Sequence, residues 1–366
     1  MTGRERLENI LNGLGSDGPA WTTLADDTTR SAMAADVRAI GVLDFYRRIG
    51  CDILQFGNYG LPDADQARPA RLVRPAEIER TTDGDGVTER TVTPWGVLTA
   101  SRRHGHPVTY PVASLDDLRI LTHLWRQSRY EETPGAADAC RRADRAVGPD
   151  GLYLPTLDPS PVQQLIETDM SLAGFYYFAH DYPHEMADLM AEMHRCRCQE
   201  YEIVARLAPN RAMIAVENTS STLTSPDAYR QYTLPHIRDY ARIAHSHGVK
   251  LILHMCGLLK ALLPALAETG MDGVNGLTPP PVGDCAFETA LDALGEDLVI
   301  LGGVLPGSVF HAPGVTADDI AGALDGLYTP RVRRANFLLW AAADGLPTPL
   351  WKFHAVADWM RRNGRT

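Results

Sequence analysis

The sequence has little of what marks membrane-spanning, secreted or disulfide-rich proteins. It contains no run of about 18 apolar residues, so we expect no membrane-spanning helix. Residues 1–7 are charged and lack the apolar stretch of a secretory signal. Only 6 cysteines occur in 366 residues, which is too few for a disulfide scaffold. We therefore predict a cytoplasmic protein whose thiols stay reduced.

Positive charge is also scarce, because 35 Lys and Arg residues stand against 46 Asp and Glu residues. The formal net charge of -11 argues against nucleic acid as a partner, which would favour a basic domain or stripe. A chain with 45% hydrophobic and 22% charged residues has the composition of an ordinary globular protein. No Ser/Gly-rich linker divides the sequence, so we predict a single domain over residues 1–366.

What the sequence does contain is an alternation of short apolar runs with amphipathic helical patterns. Several runs are continuously apolar, as strands buried on both faces are in parallel sheets. The predicted strands cover residues 20–24, 52–56, 152–157, 212–216, 250–254, 273–277, 298–304 and 337–340. Helical patterns separate them, which is the repeat of an α/β (β/α)8 TIM barrel. An open doubly wound sheet is the alternative, but no Gly-rich phosphate fingerprint opens a helix.

Residues 60–150 interrupt this repeat. Residues 78–82 and 87–93 flank the turn sequence Asp83-Gly84-Asp85-Gly86, which predicts a β-hairpin. Helical patterns follow over residues 115–125 and 136–147. We predict that this segment is a hairpin-plus-helix insertion over one mouth of the barrel, and not a separate domain.

The active site of a TIM barrel lies at the carboxyl ends of its strands, and this rule selects the candidate residues. His254 and Cys256 lie two positions apart at the end of a strand, which places both side chains on one face. Imidazole and thiolate together suit zinc, although both residues could also serve packing alone. Glu217 directly follows another strand and is a candidate catalytic residue and metal ligand, or else a hydrogen-bonded loop carboxylate.

Further candidates lie near other strand ends. Asp344 follows the last strand and is a candidate catalytic residue, although Asp344-Gly345 is also a turn signal. Cys285 begins a predicted helix whose dipole is expected to lower the pKa of its thiol, so it is a minor candidate ligand. The substrate-binding candidates are Asn58, Tyr59, Trp95, Asn275 and Trp340.

Several segments resemble, in their order and spacing, the uroporphyrinogen decarboxylase superfamily. They are Ser225-Pro226-Asp227-Ala228-Tyr229, Leu234-Pro235-His236-Ile237, His247-Gly248-Val249, His254-Met255-Cys256-Gly257, Gly302-Gly303-Val304 and Thr348-Pro349-Leu350. The resemblance spans nearly the whole chain and implies a TIM barrel. True uroporphyrinogen decarboxylases carry an Arg-Gln-Ala-Gly-Arg loop near the N-terminus, and this chain has no such loop at residues 21–27. We therefore expect no porphyrinogen decarboxylation.

The sequence is more similar to the other branch of the superfamily, which contains zinc-dependent methyltransferases that exchange methyl groups between corrinoid proteins and thiols or other acceptors. This resemblance implies that His254 and Cys256 are zinc ligands. The third ligand of that branch is a cysteine near the last strand, where this chain reads Ala341-Ala342-Ala343-Asp344. We expect Glu217 as the third ligand instead, with Asp344 or Cys285 in reserve.

The resemblance predicts a methyltransferase or demethylase that activates a thiol, a phenol or a similar small acceptor at zinc. A corrinoid, on a partner protein or free, would carry the methyl group. Two alternatives stay open: a metal-independent decarboxylase or lyase acting on a small carboxylic acid, and a non-catalytic binding barrel. We expect a small-molecule substrate and no membrane partner, and the sequence leaves a homodimer open.

Overall fold

The computed structural model describes residues 1–341 and 345–364, and its centre is a ring of eight strands. Most of the strands are runs of fully buried residues, as strands covered on both faces must be. In chain order they are β1 (Ala20–Thr22), β2 (Ile53–Phe56), β3 (Gly151–Leu154, continued by Thr156–Leu157), β4 (Ala212–Val216), β5 (Lys250–His254), β6 (Gly273–Asn275), β7 (Val299–Val304) and β8 (Asn336–Trp340).

Hydrogen bonds close these strands into a barrel. Parallel pairing follows the order β1-β8-β7-β6-β5-β4-β3, and β2 pairs with the first half of β3. Pro155 has no N–H to donate and divides β3 into its two halves. Between β1 and β2 the Asp52 N–H donates to the Trp21 carbonyl at 2.8 Å, and the Leu54 N–H donates to the Thr22 hydroxyl at 3.3 Å. The predicted TIM barrel is therefore confirmed.

Helices follow the strands around the outside of the ring. The longer ones are Gly3–Asn12, Val42–Ile49, Leu115–Arg126, Ala136–Val147, Ser171–Asp181, Pro183–Leu207, Leu234–Ser246, Phe287–Leu294, Ala317–Leu327 and Leu350–Asn363. Shorter helical segments are Asp27–Arg30, Ala35–Arg38, Asp63–Asp65, Gly148–Asp150, Pro161–Gln164, Leu165–Asp169, Pro226–Ala228, Tyr229–Thr233, Lys260–Leu262, Leu263–Leu266, Gly307–Phe310 and Val332–Arg334. No helix within the described ranges is long and apolar enough to cross a membrane.

The segment between β1 and β2 is divided into short helices. Its helical pattern runs over residues 31–49, but the structure has Ala35–Arg38 and Val42–Ile49 as separate helices. Gly41 lies between them in an extended conformation, with φ -64° and ψ 161°, and forms the N-cap of the second helix. An extended residue interrupts the i to i−4 hydrogen bonds, so the two apolar stretches cannot form one continuous helix.

The interior of the barrel is filled by aliphatic side chains, which alternate along the strands with residues that face the helices. Ile252 and Leu301 are among the inward-facing residues and are completely buried. The first helix, Gly3–Asn12, packs Leu7 and Leu11 against this interior cluster and contacts the start of β3. It thereby closes the amino-terminal end of the barrel, which leaves the carboxyl end for a functional site.

The insertion between β2 and β3 contains more strand than the predicted hairpin. Glu77–Asp83 and Gly86–Thr93 form that hairpin, and Gly96–Arg103 and His106–Thr109 extend it to a four-stranded antiparallel sheet. Most residues of the two added strands are exposed or half-buried. Because neither strand buries a whole face in a core, their sequences do not alternate between apolar and polar residues, which is the pattern that predicts a strand. Ala70–Val73 and Arg129–Glu132 pair as a second, two-stranded sheet.

The insertion contacts the barrel at its carboxyl end. The Val112 N–H donates to the Asp169 carbonyl at 2.9 Å, and Asp169 lies in the loop region that follows β3. The prediction of an insertion over one mouth of the barrel is confirmed, with a four-stranded sheet in place of the single hairpin.

Candidate functional site

His254 is the polar side chain at the end of β5, and it lies among residues from three other strands. Its ring centroid is 5.4 Å from that of Phe56 on β2 and 6.2 Å from that of Trp340 on β8. Its Nδ1 is 2.6 Å from the Oδ1 of Asn275, the last residue of β6. Three residues that the sequence singled out, His254, Asn275 and Trp340, are thus brought together at the carboxyl rim.

The contacts of Asn275 determine which nitrogen of His254 carries the proton. The Asn275 Nδ2 donates to the Leu301 carbonyl, which can only accept a hydrogen bond. The Asn275 Oδ1 therefore faces His254 and accepts a hydrogen bond from Nδ1–H. In the neutral imidazole, Nε2 is then the basic nitrogen with the lone pair, as in the many sites where a second group fixes the tautomer of a histidine.

Three residues that contact His254 also line a small cavity of the barrel. This cavity of about 10 Å³ lies between β1, β2, β6 and β8 and has room for about one water molecule. Its lining residues are Thr22, Leu24, Leu54, Phe56, Asn275 and Trp340.

Cys256 is exposed at the same rim, two residues beyond β5. Its Sγ is 3.7 Å from the Oδ1 of Asn218, and the Asn218 N–H donates to the His254 carbonyl at 2.8 Å. Asn218 has φ 48°, a left-handed conformation that asparagine adopts more readily than most residues. Asn218 thus connects the end of β4 to the segment that carries His254 and Cys256.

Glu217 is also at the end of β4, but its carboxylate is completely buried and held by other groups. The Ser160 N–H donates to Oε2 at 2.8 Å, and the hydroxyls of Ser160 and Thr219 donate to Oε1 at 2.7 and 3.1 Å. Burial raises the pKa of Glu217 to about 7, against the effect of these hydrogen bonds. In this arrangement Glu217 joins the loop after β3 to the end of β4.

The described residues do not assemble a complete zinc site. No group of three or more His, Cys, Asp or Glu side chains that could hold a metal ion occurs among them. Of the predicted reserves, Asp344 lies outside the described residues. Cys285 is buried, and burial raises the pKa of its thiol to about 11, so the predicted lowering by a helix dipole was wrong.

The remaining substrate-binding candidates lie elsewhere. The side-chain amide of Asn58 bonds to the backbone of Ala67 in both directions, at 2.9 and 2.8 Å, and so shapes the start of the insertion. The Tyr59 carbonyl accepts a hydrogen bond from Gln55 at 2.8 Å. Trp95 lies in the insertion, where its ring stacks on that of His123 with centroids 5.6 Å apart.

Ser160 and Thr219, which both bind Glu217, were not singled out from the sequence. Besides binding Glu217, the Ser160 side chain accepts a hydrogen bond from the Gln163 N–H and begins the helix Pro161–Gln164. A serine before a proline is a recognisable helix start, so the cap was visible in the sequence. Its contact with Glu217, 57 residues away, had no local signal.

Comparison with known proteins gives one family and several solved structures. Residues 163–331 match the family model for uroporphyrinogen decarboxylase (URO-D). No curated protein sequence matches the chain significantly. A methyltransferase from Methanosarcina mazei has 15% sequence identity and a TM-score of 0.59, with 99% of each chain covered. A D-psicose 3-epimerase has 12% identity and a TM-score of 0.36, with 68% of this chain and 83% of that chain covered.

At 15% identity the methyltransferase comparison shows a shared fold and nothing further. The family model covers the strands and helices that include β4 to β7 and the segment His254-Met255-Cys256-Gly257. The family match and the shared fold together confirm the resemblance to the uroporphyrinogen decarboxylase superfamily that the sequence motifs predicted.

Proposed function

We propose that the protein is a methyltransferase that works at the carboxyl rim of the barrel. It moves a methyl group between a corrinoid and a small acceptor with a thiol or phenol group. The observation that carries the proposal is the orientation of His254, because its Nδ1–H donates to Asn275 and Nε2 is therefore the basic nitrogen of the neutral ring. The fold shared with a methyltransferase supports the proposal.

The nearly filled interior supports a donor that stays outside the barrel. A cavity of about 10 Å³ cannot admit a corrinoid, whereas an exposed rim can meet one that is free or bound to a partner protein. Cys256 and His254 lie on this rim and would face such a donor. A methylated corrinoid, when bound, would supply an electrophilic methyl group.

Zinc fits the described residues poorly. His254 and Cys256 are suitable ligands, but a catalytic zinc takes three protein ligands. Both oxygens of Glu217 already accept hydrogen bonds from Ser160 and Thr219. The mechanism therefore contains no step through zinc.

His254 acts as the general base in the proposed reaction. Its Nε2 takes the proton of the acceptor thiol or phenol, and the resulting anion forms a bond to the methyl carbon. The bond between that carbon and the donor breaks, and its electron pair stays with the donor. The Asn275 Oδ1 accepts the Nδ1–H of the resulting imidazolium and so stabilises its charge.

The experiment is a methyl-transfer assay with methylcobalamin and either thiophenol or phenol, followed by cobalamin absorbance. Because general base catalysis contributes about 10²–10⁴-fold, His254→Gln should lower the rate by that factor. His180→Gln is the matched control, since His180 is on an exposed helix surface and should keep the full rate. Wild-type protein without transfer to either acceptor, or a fully active His254→Gln variant, would exclude the proposal.

The same assay tests the zinc prediction. After dialysis against EDTA, the mechanism without zinc predicts an unchanged rate and no stoichiometric zinc by elemental analysis. A rate that is lost on dialysis and restored by zinc would show that a ligand beyond the described residues completes a metal site. The variants Cys256→Ser and Asp344→Ala would then identify its members.

A further inference from the structure

A cleft separates the insertion from the loop region that follows β3. Its two parts have volumes of about 580 and 250 Å³ and share Arg74, Gln164 and Thr168 as lining residues. The larger part alone is within the range of about 300–1,000 Å³ that is usual for sites of small organic ligands. Neither His254 nor Cys256 lines the cleft, so it is distinct from the rim described above.

Arg197 is the most deeply buried charged group of this cleft, with an exposed fraction of 2%. Its terminal nitrogens donate to Asp158 at 2.9 Å, Glu200 at 2.7 Å and Gln164 at 2.6 Å. Its Nε is also buried but has no hydrogen-bond acceptor within the described residues. A buried donor without an acceptor is costly, and it indicates that a ligand or water supplies the missing acceptor.

Two further side chains of the cleft have hydrogen-bond donors without an acceptor among the described residues. The indole Nε1 of Trp125 is buried and has no acceptor among the residues that the structure describes. Arg74 is half-buried and lines both parts of the cleft. Its guanidinium forms no hydrogen bond or ion pair with the described part of the chain, although its charge lowers the pKa of Asp169 against the larger effect of burial.

The carboxylates of the cleft, in contrast, already have donors. Asp169 accepts hydrogen bonds from Gln164 and Thr168, each at 3.0 Å. Asp158 accepts from Arg197 at 2.9 Å and from the Tyr130 hydroxyl at 3.1 Å. The other carboxylates of the lining are Asp85, Glu89 and Glu167, which have His104, Arg80 and Gln163 as partners. The lining therefore has no excess of positive charge, and its half-buried charged group without a partner in the described residues is the Arg74 guanidinium, which an anionic ligand would satisfy.

We propose that this cleft binds a small organic anion, with its carboxylate or phosphate group on Arg74. Apolar side chains complete the cleft and would contact the body of such a ligand: Leu72, Val87, Leu98, Leu121 and Leu124. The proposal does not depend on methyl transfer, because it rests on other residues and is measured as binding.

Isothermal titration calorimetry with phenyl phosphate, benzoate, inorganic phosphate and benzyl alcohol tests this proposal. We expect the two organic anions to bind more tightly than inorganic phosphate and than the neutral alcohol. Arg74→Gln should weaken their binding about tenfold or more, because it removes a charge-assisted hydrogen bond. The melting temperature of the variant should stay unchanged, since the Arg74 side chain forms no hydrogen bond or ion pair with the described residues.

Arg71→Gln is the matched control. Arg71 lies three positions earlier, on the strand Ala70–Val73 that Arg74 directly follows. It pairs with Glu131 at 3.1 Å and does not line the cleft. It removes the same charge and should leave binding unchanged. The proposal is overturned if neither organic anion binds, if benzyl alcohol or inorganic phosphate binds as tightly, or if Arg71→Gln and Arg74→Gln weaken binding equally.

Discussion

Glu217 is a carboxyl group that the fold removes completely from water. Its pKa is raised from 4.5 to about 7, chiefly by burial. The folded state therefore binds this proton more tightly than the unfolded state does. The contribution of Glu217 to stability is fully present below pH 4.5 and is lost as the pH rises through 7.

We predict that Glu217→Gln makes the free energy of unfolding less sensitive to rising pH. The amide can accept the Ser160 N–H and donate to the hydroxyls of Ser160 and Thr219, so the contacts of the site persist. Between pH 4.5 and 8 the free energy of unfolding of the wild type should fall relative to the variant by about 3 kcal/mol at most. Urea denaturation at intervals of pH measures this difference, and parallel curves for the two proteins would contradict it.

The sequence was more informative about which residues reach the rim than about what they contact there. His254 was identified because it ends a predicted apolar strand, and Asn275 because it is a polar residue near the end of the next one. That Asn275 fixes the tautomer of His254 depends on the Leu301 carbonyl, which belongs to a third strand. Glu217 was expected to turn towards His254, and no local pattern could reveal that Ser160 and Thr219 bind its carboxylate instead.

At the scale of elements, the pairing of β2 with β3 leaves no room for a side chain at Gly151. A Cβ added to Gly151 would lie 1.8 Å from the Ile53 carbonyl oxygen, which is backbone and cannot rotate away. Glycine at this position lets the first residue of β3 pair with the first residue of β2. The insertion leaves the barrel from this pair of strands.

We therefore predict that Gly151→Ala lowers the free energy of unfolding by about 1–3 kcal/mol, the usual cost of overpacking. Gly322→Ala is the matched control, because Gly322 lies in the helix Ala317–Leu327 with nothing within 4 Å of an added Cβ. Alanine favours a helix over glycine, so this variant should gain about 0.5–1 kcal/mol. Thermal unfolding of both variants measures the effects, and a Gly151→Ala protein as stable as the wild type would disprove the close approach.

The elements most accurately predicted from the sequence are those whose burial is uniform. Ala212–Val216 and Lys250–His254 have the predicted bounds, because both are continuous apolar runs in the centre of the sheet. The strands Gly96–Arg103 and His106–Thr109 went unpredicted because their polar residues face solvent on a small outer sheet. A strand that is stabilised by pairing with its neighbours, and not by burial, leaves no apolar pattern from which a single sequence could predict it.

At the scale of the whole molecule, the first helix is part of the barrel core. Leu7 is completely buried and packs with inward-facing residues of most strands. We predict that Leu7→Ala lowers the free energy of unfolding by about 2–5 kcal/mol, the range for a buried leucine that leaves a cavity. Leu14→Ala is the control, since Leu14 is 72% exposed and its loss should cost less than about 0.5 kcal/mol. Equal stability of the two variants in urea would show that the helix does not belong to the core.

The closure of the ring has a consequence for how the protein is made. β1 pairs with β8, and the Thr23 hydroxyl donates to the Ala341 carbonyl, 318 residues further along the chain. At about 5–20 residues per second, a ribosome adds that partner roughly 15–60 s after β1. Until then the nascent chain presents β1 as an unpaired strand edge, which is a template for aggregation. Translation that stops before β8 therefore releases a chain whose barrel cannot close.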